Sequence, residues 1–355
     1  MIGLAPVVFW PGMLIAFVLL IAASWFLVRH AGLAAVTVLS PLPGIVLAAL
    51  GTHHAASFFG YIPGFMAAGL LAATIAQFAA SVPAQSAIRS ALSILWLAFL
   101  AVFLLLVPSA FNRVAAFTCM AGEVSAVIVT ALATMLFSYD EDFVVRINRA
   151  TEARVREIER LNFLVKPRWG MSIGGVGLVF SVLGFFGAQK DIVAISSSPV
   201  LFAAWAVIFA MEVFVVSRNI RRALADILAM VPVALLTIAL SGRFAWPTAE
   251  ILLPLTVGGG PVLFMTASAL GFERGGDRWD IATQRGVERF GAAIAVTTMA
   301  AAAATLLFEW QSGVIECAAL FMGGVAALIL QPALTTMLYT LFPKRVTLEE
   351  AFRKR

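Results

Sequence analysis

The stretch CMAGEVSAVIVTALATMLF, residues Cys119–Phe137, is nineteen residues long and carries a single charged side chain, Glu123. A helix needs about 20 mostly apolar residues to cross the hydrocarbon core of a bilayer. The rest of the chain has a similar character, because 62% of its 355 residues are hydrophobic and only 12% are charged. Soluble domains carry about 25% charged residues. The composition therefore predicts an all-α, polytopic integral membrane protein built as a helical bundle.

Apolar segments of spanning length recur along the whole chain. We predict eleven transmembrane helices, at residues 7–28, 33–51, 62–82, 91–111, 114–137, 170–187, 199–217, 226–241, 246–272, 286–308 and 314–341. The predicted domains are an N-terminal membrane half (1–137), a cytoplasmic linker helix (138–169), a C-terminal membrane half (170–343) and a basic cytoplasmic tail (344–355).

The basic residues indicate how these helices are oriented. If the N-terminus lies outside, 21 of the 24 Lys and Arg residues fall in segments on the opposite side. The positive-inside rule makes that side cytoplasmic, so we expect a multi-pass membrane protein with a cytoplasmic C-terminus. The basic residues border the membrane, where they face anionic lipid headgroups. Membrane lipid, and not nucleic acid, is therefore the predicted partner of the net positive charge.

The linker at residues 138–169 has apolar residues at spacings of three and four, which is the pattern of an amphipathic helix. We interpret it as a cytoplasmic helix that joins the two membrane halves and rests on the bundle or the bilayer. The alternative is a helix that binds a partner protein or a second copy of the chain, as in a homo-oligomer.

The opening stretch has a counterpart near the C-terminus. FMGGVAALILQPALTTMLY, Phe321–Tyr339, aligns with Cys119–Phe137 without a gap and is identical at seven of nineteen positions. The alignment predicts an internal duplication, which is common in transporters. Val325 occupies the position of Glu123, so packing alone does not require a carboxylate. Since a charge at this depth costs at least about 2.5–3.5 kcal/mol, Glu123 is either a proton- or substrate-contacting group or a structural hydrogen-bond partner.

Two predicted spans contain Gly and Pro residues at similar depth. They are LSPLPG, Leu39–Gly44, in the second span and VGGGPVLF, Val257–Phe264, in the ninth. Paired interruptions of this kind point to broken helices at a transporter's binding site, while simple kinks are the alternative. The candidate binding residues are Pro41, Gly258, Gly259 and Gly260.

Three further charged residues are candidates for substrate or proton contact. Glu250 lies one turn after Trp246, near the predicted outer mouth of its span. Arg285 and Arg289 lie near the predicted cytoplasmic mouth, where an arginine attracts anions. The alternative role for both arginines is anchoring by the positive-inside rule.

Motifs of enzymes and cofactor sites are not found. The chain has two cysteines and three histidines, too few for a metal cluster. It contains no H-E-x-x-H motif and no G-x4-G-K-[ST] nucleotide-binding loop. We therefore predict that the protein is not an enzyme and uses no metal or other cofactor.

Three stretches carry a resemblance to a known family. They are residues 122–150 (GEVSAVIVTALATMLFSYDEDFVVRINRA), 218–255 (RNIRRALADILAMVPVALLTIALSGRFAWPTAEILLPL) and 285–296 (RGVERFGAAIAV). The chain resembles the fusaric acid resistance and aromatic acid exporter family of bacterial inner-membrane proteins, as a short and divergent member. It departs from that family in its five spans in the first half and in Ala292, where the family usually has Thr. The resemblance implies efflux of small amphipathic or aromatic organic anions together with a periplasmic adaptor protein.

Two functions remain open. The first is a transporter that exports organic acids in a proton-coupled manner. The second is a non-catalytic membrane scaffold or assembly subunit of an envelope complex. They differ in one testable respect, because a scaffold does not need its buried carboxylates for function.

Overall fold

The computed structural model describes residues 42–52, 166–187, 199–217, 219–244, 252–274, 277–306 and 310–342, together with single positions between 15 and 40 and between 121 and 132. The predicted spans at 62–82 and 91–111, the linker before residue 166 and the basic tail lie outside these residues.

Within the described residues the chain forms helices and no strand. The helices are α1 (Leu42–Thr52), α2 (Pro167–Gly187), α3 (Pro199–Ser217), α4 (Ile220–Arg243), α5 (Leu252–Arg274), α6 (Trp279–Leu306), α7 (Trp310–Val325), a π-helix (Ala326–Leu330) and α8 (Gln331–Leu341).

The predicted all-helical architecture is confirmed for the described part of the chain. The six spans predicted between residues 170 and 341 fall on helices whose ends differ from the prediction by up to seven residues, and the last span covers α7, the π-helix and α8. Among the described residues, three helical stretches are long and apolar enough to cross a membrane: α2, α4 and the run Val314–Leu341. The total of eleven spans stays a prediction.

Helix α4 lies at the centre of the described bundle and contacts α2, α3, α5, α7 and α8. Its N-cap is Asn219, whose side-chain oxygen accepts a hydrogen bond from the Arg221 backbone N–H at 3.1 Å. Capping of this kind satisfies a backbone donor that the first turn of a helix leaves free. The Asn219 side-chain amide also donates to the Tyr339 hydroxyl, so the cap ties the start of α4 to the end of α8.

Helix α5 contains the stretch Val257–Phe264, where the sequence predicted a broken helix. It runs without interruption from Leu252 to Arg274, with Pro261 inside it. The glycines bring neighbouring helices close: a Cβ on Gly323 of α7 would lie 2.2 Å from the carbonyl oxygen of Gly258. Poor helix formers are tolerated because tertiary packing overrides local propensity. The prediction of a broken helix here was wrong, and Gly258 is a packing residue.

Helix α2 has two different faces. Its buried positions are Gly170, Gly174 and Ser181, and Gly174 packs against the side chain of Met337 in α8. The remaining surface is apolar and exposed, with Phe180 and Phe186 more than half accessible. An exposed apolar face of this extent is suited to contact with lipid, which agrees with α2 being a membrane-spanning candidate.

A π-helix, Ala326–Leu330, precedes Gln331 and Pro332. The backbone N–H of Gln331 donates to the carbonyl of Ala326, five residues earlier, and Pro332 follows at the start of α8. Proline lacks a backbone donor and clashes with the preceding turn of an α-helix. The wider π-turn accommodates it without breaking the membrane-spanning run.

The helix is interrupted within the stretch LSPLPG, where the sequence predicted an interruption. Pro41 itself is not described. Leu39 is helical, Ser40 is in a turn and α1 begins at Leu42. The carbonyl of Ser40 accepts a hydrogen bond of 2.7 Å from the Ser125 hydroxyl. A freed backbone group inside a membrane must be satisfied within the protein, and Ser125 does this.

A close helix–helix contact similar to that of Gly323 occurs in the first half of the chain. Ala121 aligns with Gly323 in the internal repeat. A Cβ on Gly44 of α1 would lie 1.9 Å from the Ala121 carbonyl oxygen. Both aligned positions therefore lie at a close helix–helix contact with a glycine, Gly44 in one case and Gly258 in the other.

A candidate functional site: the buried polar cluster

Polar and charged side chains meet between α4, α5, α6 and α8, inside an otherwise apolar core. We call this group the polar cluster. Its members are Arg222 and Asp226 of α4, Thr266 and Glu273 of α5, Thr283 of α6, and Gln331 of α8.

The guanidinium of Arg222 is completely buried. Its Nη2 lies 3.1 Å from Oε2 of Glu273, a side chain that is 30% exposed. The same nitrogen donates to the Thr283 hydroxyl at 3.3 Å and to the Trp279 carbonyl at 3.4 Å. The Nε and Nη1 atoms make no hydrogen bond to the described residues. Because arginine keeps its proton in proteins, Glu273 is the group that balances this buried charge.

Asp226 is also completely buried, one helical turn after Arg222. Its Oδ1 accepts a hydrogen bond of 2.7 Å from the Thr266 hydroxyl, whose oxygen in turn accepts one of 2.9 Å from Nε2 of Gln331. Asp226 Oδ2 and Gln331 Oε1 have no hydrogen-bond partner in the described part of the chain. The bridge through Thr266 therefore holds two acceptor groups close together.

The charges of the polar cluster do not cancel. Arg222 contributes one positive charge, while Asp226 and Glu273 contribute two negative charges when both are ionised. The contact of Arg222 with Glu273 leaves Asp226 as the uncompensated group. A buried charge is very costly unless it is paired, coordinated to a metal or neutralised. The cluster is therefore suited to take up and release one positive charge at Asp226.

An aromatic pair lies beside the cluster. The rings of Trp279 and Tyr339 stack with centroids 4.4 Å apart and an interplanar angle of 14°. The guanidinium carbon of Arg221 lies 5.2 Å from the centroid of the Tyr339 ring, a distance typical of cation–π contacts. These contacts fix the adjoining ends of α4, α6 and α8, and with them the position of Arg222.

The residues predicted as site candidates lie elsewhere or are not described. Arg285 is on α6 with a side chain that is 54% exposed, and its Nη1 donates to Asp277 at 2.6 Å. Of Arg289, only the backbone within α6 is described. The triplet Gly258, Gly259 and Gly260 is buried in α5, whereas Glu123, Pro41 and Glu250 lie outside the described residues. No predicted site residue with a described side chain belongs to the polar cluster.

The sequence contained two signals for the residues that were missed. Arg222 and Asp226 are four positions apart, which places them on one face of a helix. In the alignment of the two similar segments, Gln331 stands opposite Val129, so it is a polar residue at a position where the other segment is apolar. Neither signal indicates which helices cover these side chains.

A transition-metal centre does not fit the described residues, because they contain no group of three or more His, Cys, Asp or Glu side chains suited to hold a metal ion.

Comparison with known proteins adds no family assignment. No protein-family profile matches the chain, and no curated protein sequence is significantly similar to it.

Proposed function

We propose that the protein is a bacterial inner-membrane transporter in which Asp226 binds and releases a proton during transport. The observation that carries the proposal is a fully buried carboxylate in a candidate membrane span, with one oxygen lacking a hydrogen-bond partner among the described residues. Ionisable residues inside membrane segments commonly mark proton or substrate pathways.

Protonation of Asp226 would remove the charge imbalance of the polar cluster. The protonated carboxyl group could also donate from Oδ2 to the amide oxygen of Gln331, so that two unpartnered acceptors are satisfied by one proton. The ionised form instead suits a state in which water or another cation reaches the site. The two protonation states therefore favour different arrangements around α4 and α8, which is the requirement for ion-coupled transport.

The proposed cargo is a small amphipathic or aromatic organic anion, exported with a periplasmic adaptor protein. This part of the proposal follows from the resemblance of three sequence stretches to aromatic acid exporters. Glu123 remains a second candidate for proton coupling, because it is the only charged residue in its predicted span.

Transport by the reconstituted protein tests the role of Asp226. Proteoliposomes would be loaded with a panel of radiolabelled aromatic acids, and flux measured with and without a pH gradient. Asp226→Asn keeps an acceptor for Thr266 and supplies a donor for Gln331, but it cannot ionise. We expect this variant to bind cargo while its flux no longer responds to the gradient.

The matched control is Asp280→Asn, because Asp280 lies in the first turn of α6 and pairs with the exposed Arg278. It should transport like the unmodified protein. A normal response to the pH gradient by Asp226→Asn would refute the assignment. If neither Asp226 nor Glu123 is needed for the protein's role in cells, the scaffold function is favoured instead.

A further inference from the structure

We propose that the polar cluster also binds a monovalent metal cation, Na⁺, which competes with the proton for Asp226. The role of this ion in transport rests on the proposed function above, whereas its binding is measurable in the purified protein without any transport.

Three oxygen atoms without hydrogen-bond partners among the described residues carry the proposal. They are Oδ2 of Asp226, Oε1 of Gln331 and Oγ1 of Thr335, all on completely buried residues. Thr266 bonds to both Asp226 and Gln331, and Thr335 follows Gln331 by one helical turn. Thr266 therefore links the side chains of Asp226 and Gln331, and Thr335 follows Gln331 on the same face of α8.

Thr335 differs from the other threonines of α8. The hydroxyls of Thr336 and Thr340 donate to backbone carbonyls four residues earlier, at 2.9 and 2.7 Å. This is the usual arrangement for a hydroxyl in an apolar helix. The Thr335 oxygen makes no such bond, although it is equally able to. No backbone bond therefore directs the Thr335 hydroxyl towards the preceding helical turn, and its oxygen lone pairs are available to a cation.

A metal ion fits these atoms better than a proton alone. A proton is shared by two oxygens, so it satisfies Asp226 and one neighbour, whereas a hard cation binds several carboxylate, amide and hydroxyl oxygens at once. The single excess negative charge at Asp226 matches a monovalent ion, while a divalent ion would leave an excess positive charge.

The charged and titratable groups around Asp226 determine how the site responds to pH. Arg222 precedes it by one turn on α4 and disfavours a cation, and Glu273 of α5 offsets this effect through its contact with Arg222. Tyr339 lies two turns beyond Gln331 on α8 and accepts a bond from Asn219. Because proton and Na⁺ share one carboxylate, each should weaken the other's binding equally.

Equilibrium binding of radioactive sodium to the purified protein in nanodiscs tests the site, with choline as the replacing ion. We expect saturable binding at about pH 8 and an affinity that falls by up to about tenfold for each unit of acidification once the proton dominates. Asp226→Asn should abolish binding, and Asp280→Asn should leave it unchanged. The fold of each variant would be checked by its thermal unfolding.

A second pair of variants covers the case in which Asp226→Asn does not fold. Thr335→Val has a similar shape but no hydroxyl, and Thr335→Ser retains the hydroxyl. We expect at least about tenfold weaker Na⁺ binding for Val, because one oxygen ligand is lost, and near-normal binding for Ser. Equal binding by both Thr335 variants, or no saturable Na⁺ binding by the unmodified protein at any pH, would overturn the inference.

The two proposals fail in different ways. Flux that depends on a proton gradient, in a protein that binds no Na⁺, would overturn the cation site and leave Asp226 as a proton carrier. Saturable Na⁺ binding that depends on Asp226, in a protein without any measurable flux, would support the cation site and count against transport.

Discussion

Gly323→Ala should loosen the contact between α5 and α7. A Cβ at this position would lie 2.2 Å from the carbonyl oxygen, 2.9 Å from the carbonyl carbon and 3.0 Å from the Cα of Gly258. Ordinary carbon–oxygen contacts between helices are about 3.3–3.6 Å, so the helices must separate by roughly 1 Å. Overpacking of this kind costs about 1–3 kcal/mol, against a gain of up to about 1 kcal/mol in helix propensity. Because every obstructing atom is backbone, we expect a net loss of about 2 kcal/mol.

Unfolding of the purified protein in detergent, by heat or by added denaturing detergent, measures this loss. The control is Gly175→Ala on α2, where an added Cβ has no heavy atom within 4 Å. That variant should be as stable as the original protein or slightly more stable, since alanine favours the helix. If Gly323→Ala unfolds at the same point as Gly175→Ala, the contact with Gly258 does not hold the helices together and the reasoning is refuted.

Three further changes have defined outcomes. Thr266→Val removes a donor and an acceptor from the polar cluster and should cost about 1–3 kcal/mol relative to Thr266→Ser in the same unfolding assay. A hydrogen bond from Arg278 lowers the pKa of Asp280. The small stabilising contribution of the ionised Asp280 side chain is therefore present above its pKa in the unfolded chain, about 4, and is lost as the pH falls through its lower pKa in the folded protein. Asp280→Asn should flatten the acid limb of a stability–pH profile. A single cysteine at position 152, in a variant whose native cysteines are replaced, should react with an impermeant thiol reagent only after cells are opened, and labelling in intact cells would contradict the predicted cytoplasmic linker.

The helices of the C-terminal half could be predicted because their signal is local. A run of apolar residues of sufficient length needs a helix in a membrane, whatever its neighbours are. This is why the prediction 199–217 coincides with α3, Pro199–Ser217. For α4 the predicted start at residue 226 was too late, since the helix begins at Ile220. The arginines of its first turn suggested a loop, whereas Arg222 is buried against α5 and α6.

The polar cluster could not be predicted, because burial depends on which helices pack together. Arg222 reads as a cytoplasmic anchor in the sequence, and only its contact with Glu273, 51 positions later, shows that it is internal. The glycines at 258–260 were misinterpreted for the same reason. Their weak helix propensity is visible in the sequence, but the close approach of Gly323 that explains Gly258 is not.

The π-helix at Ala326–Leu330 determines how α8 is rotated relative to α7 about their common axis. Before the π-helix, Gly323 and Gly324 lie against Gly258 and Thr298. After it, the Gln331 side chain donates a hydrogen bond to Thr266. Each residue of an α-helix advances about 100° around the axis. The π-turn holds one residue more than an α-turn, so deleting one residue here would restore a continuous α-helix, whereas inserting one more residue would rotate α8 against α7 by about a quarter turn. After such an insertion the glycine contacts and the Gln331 bond could not form together, so the π-helix limits how many residues the segment between Gly323 and Gln331 can hold.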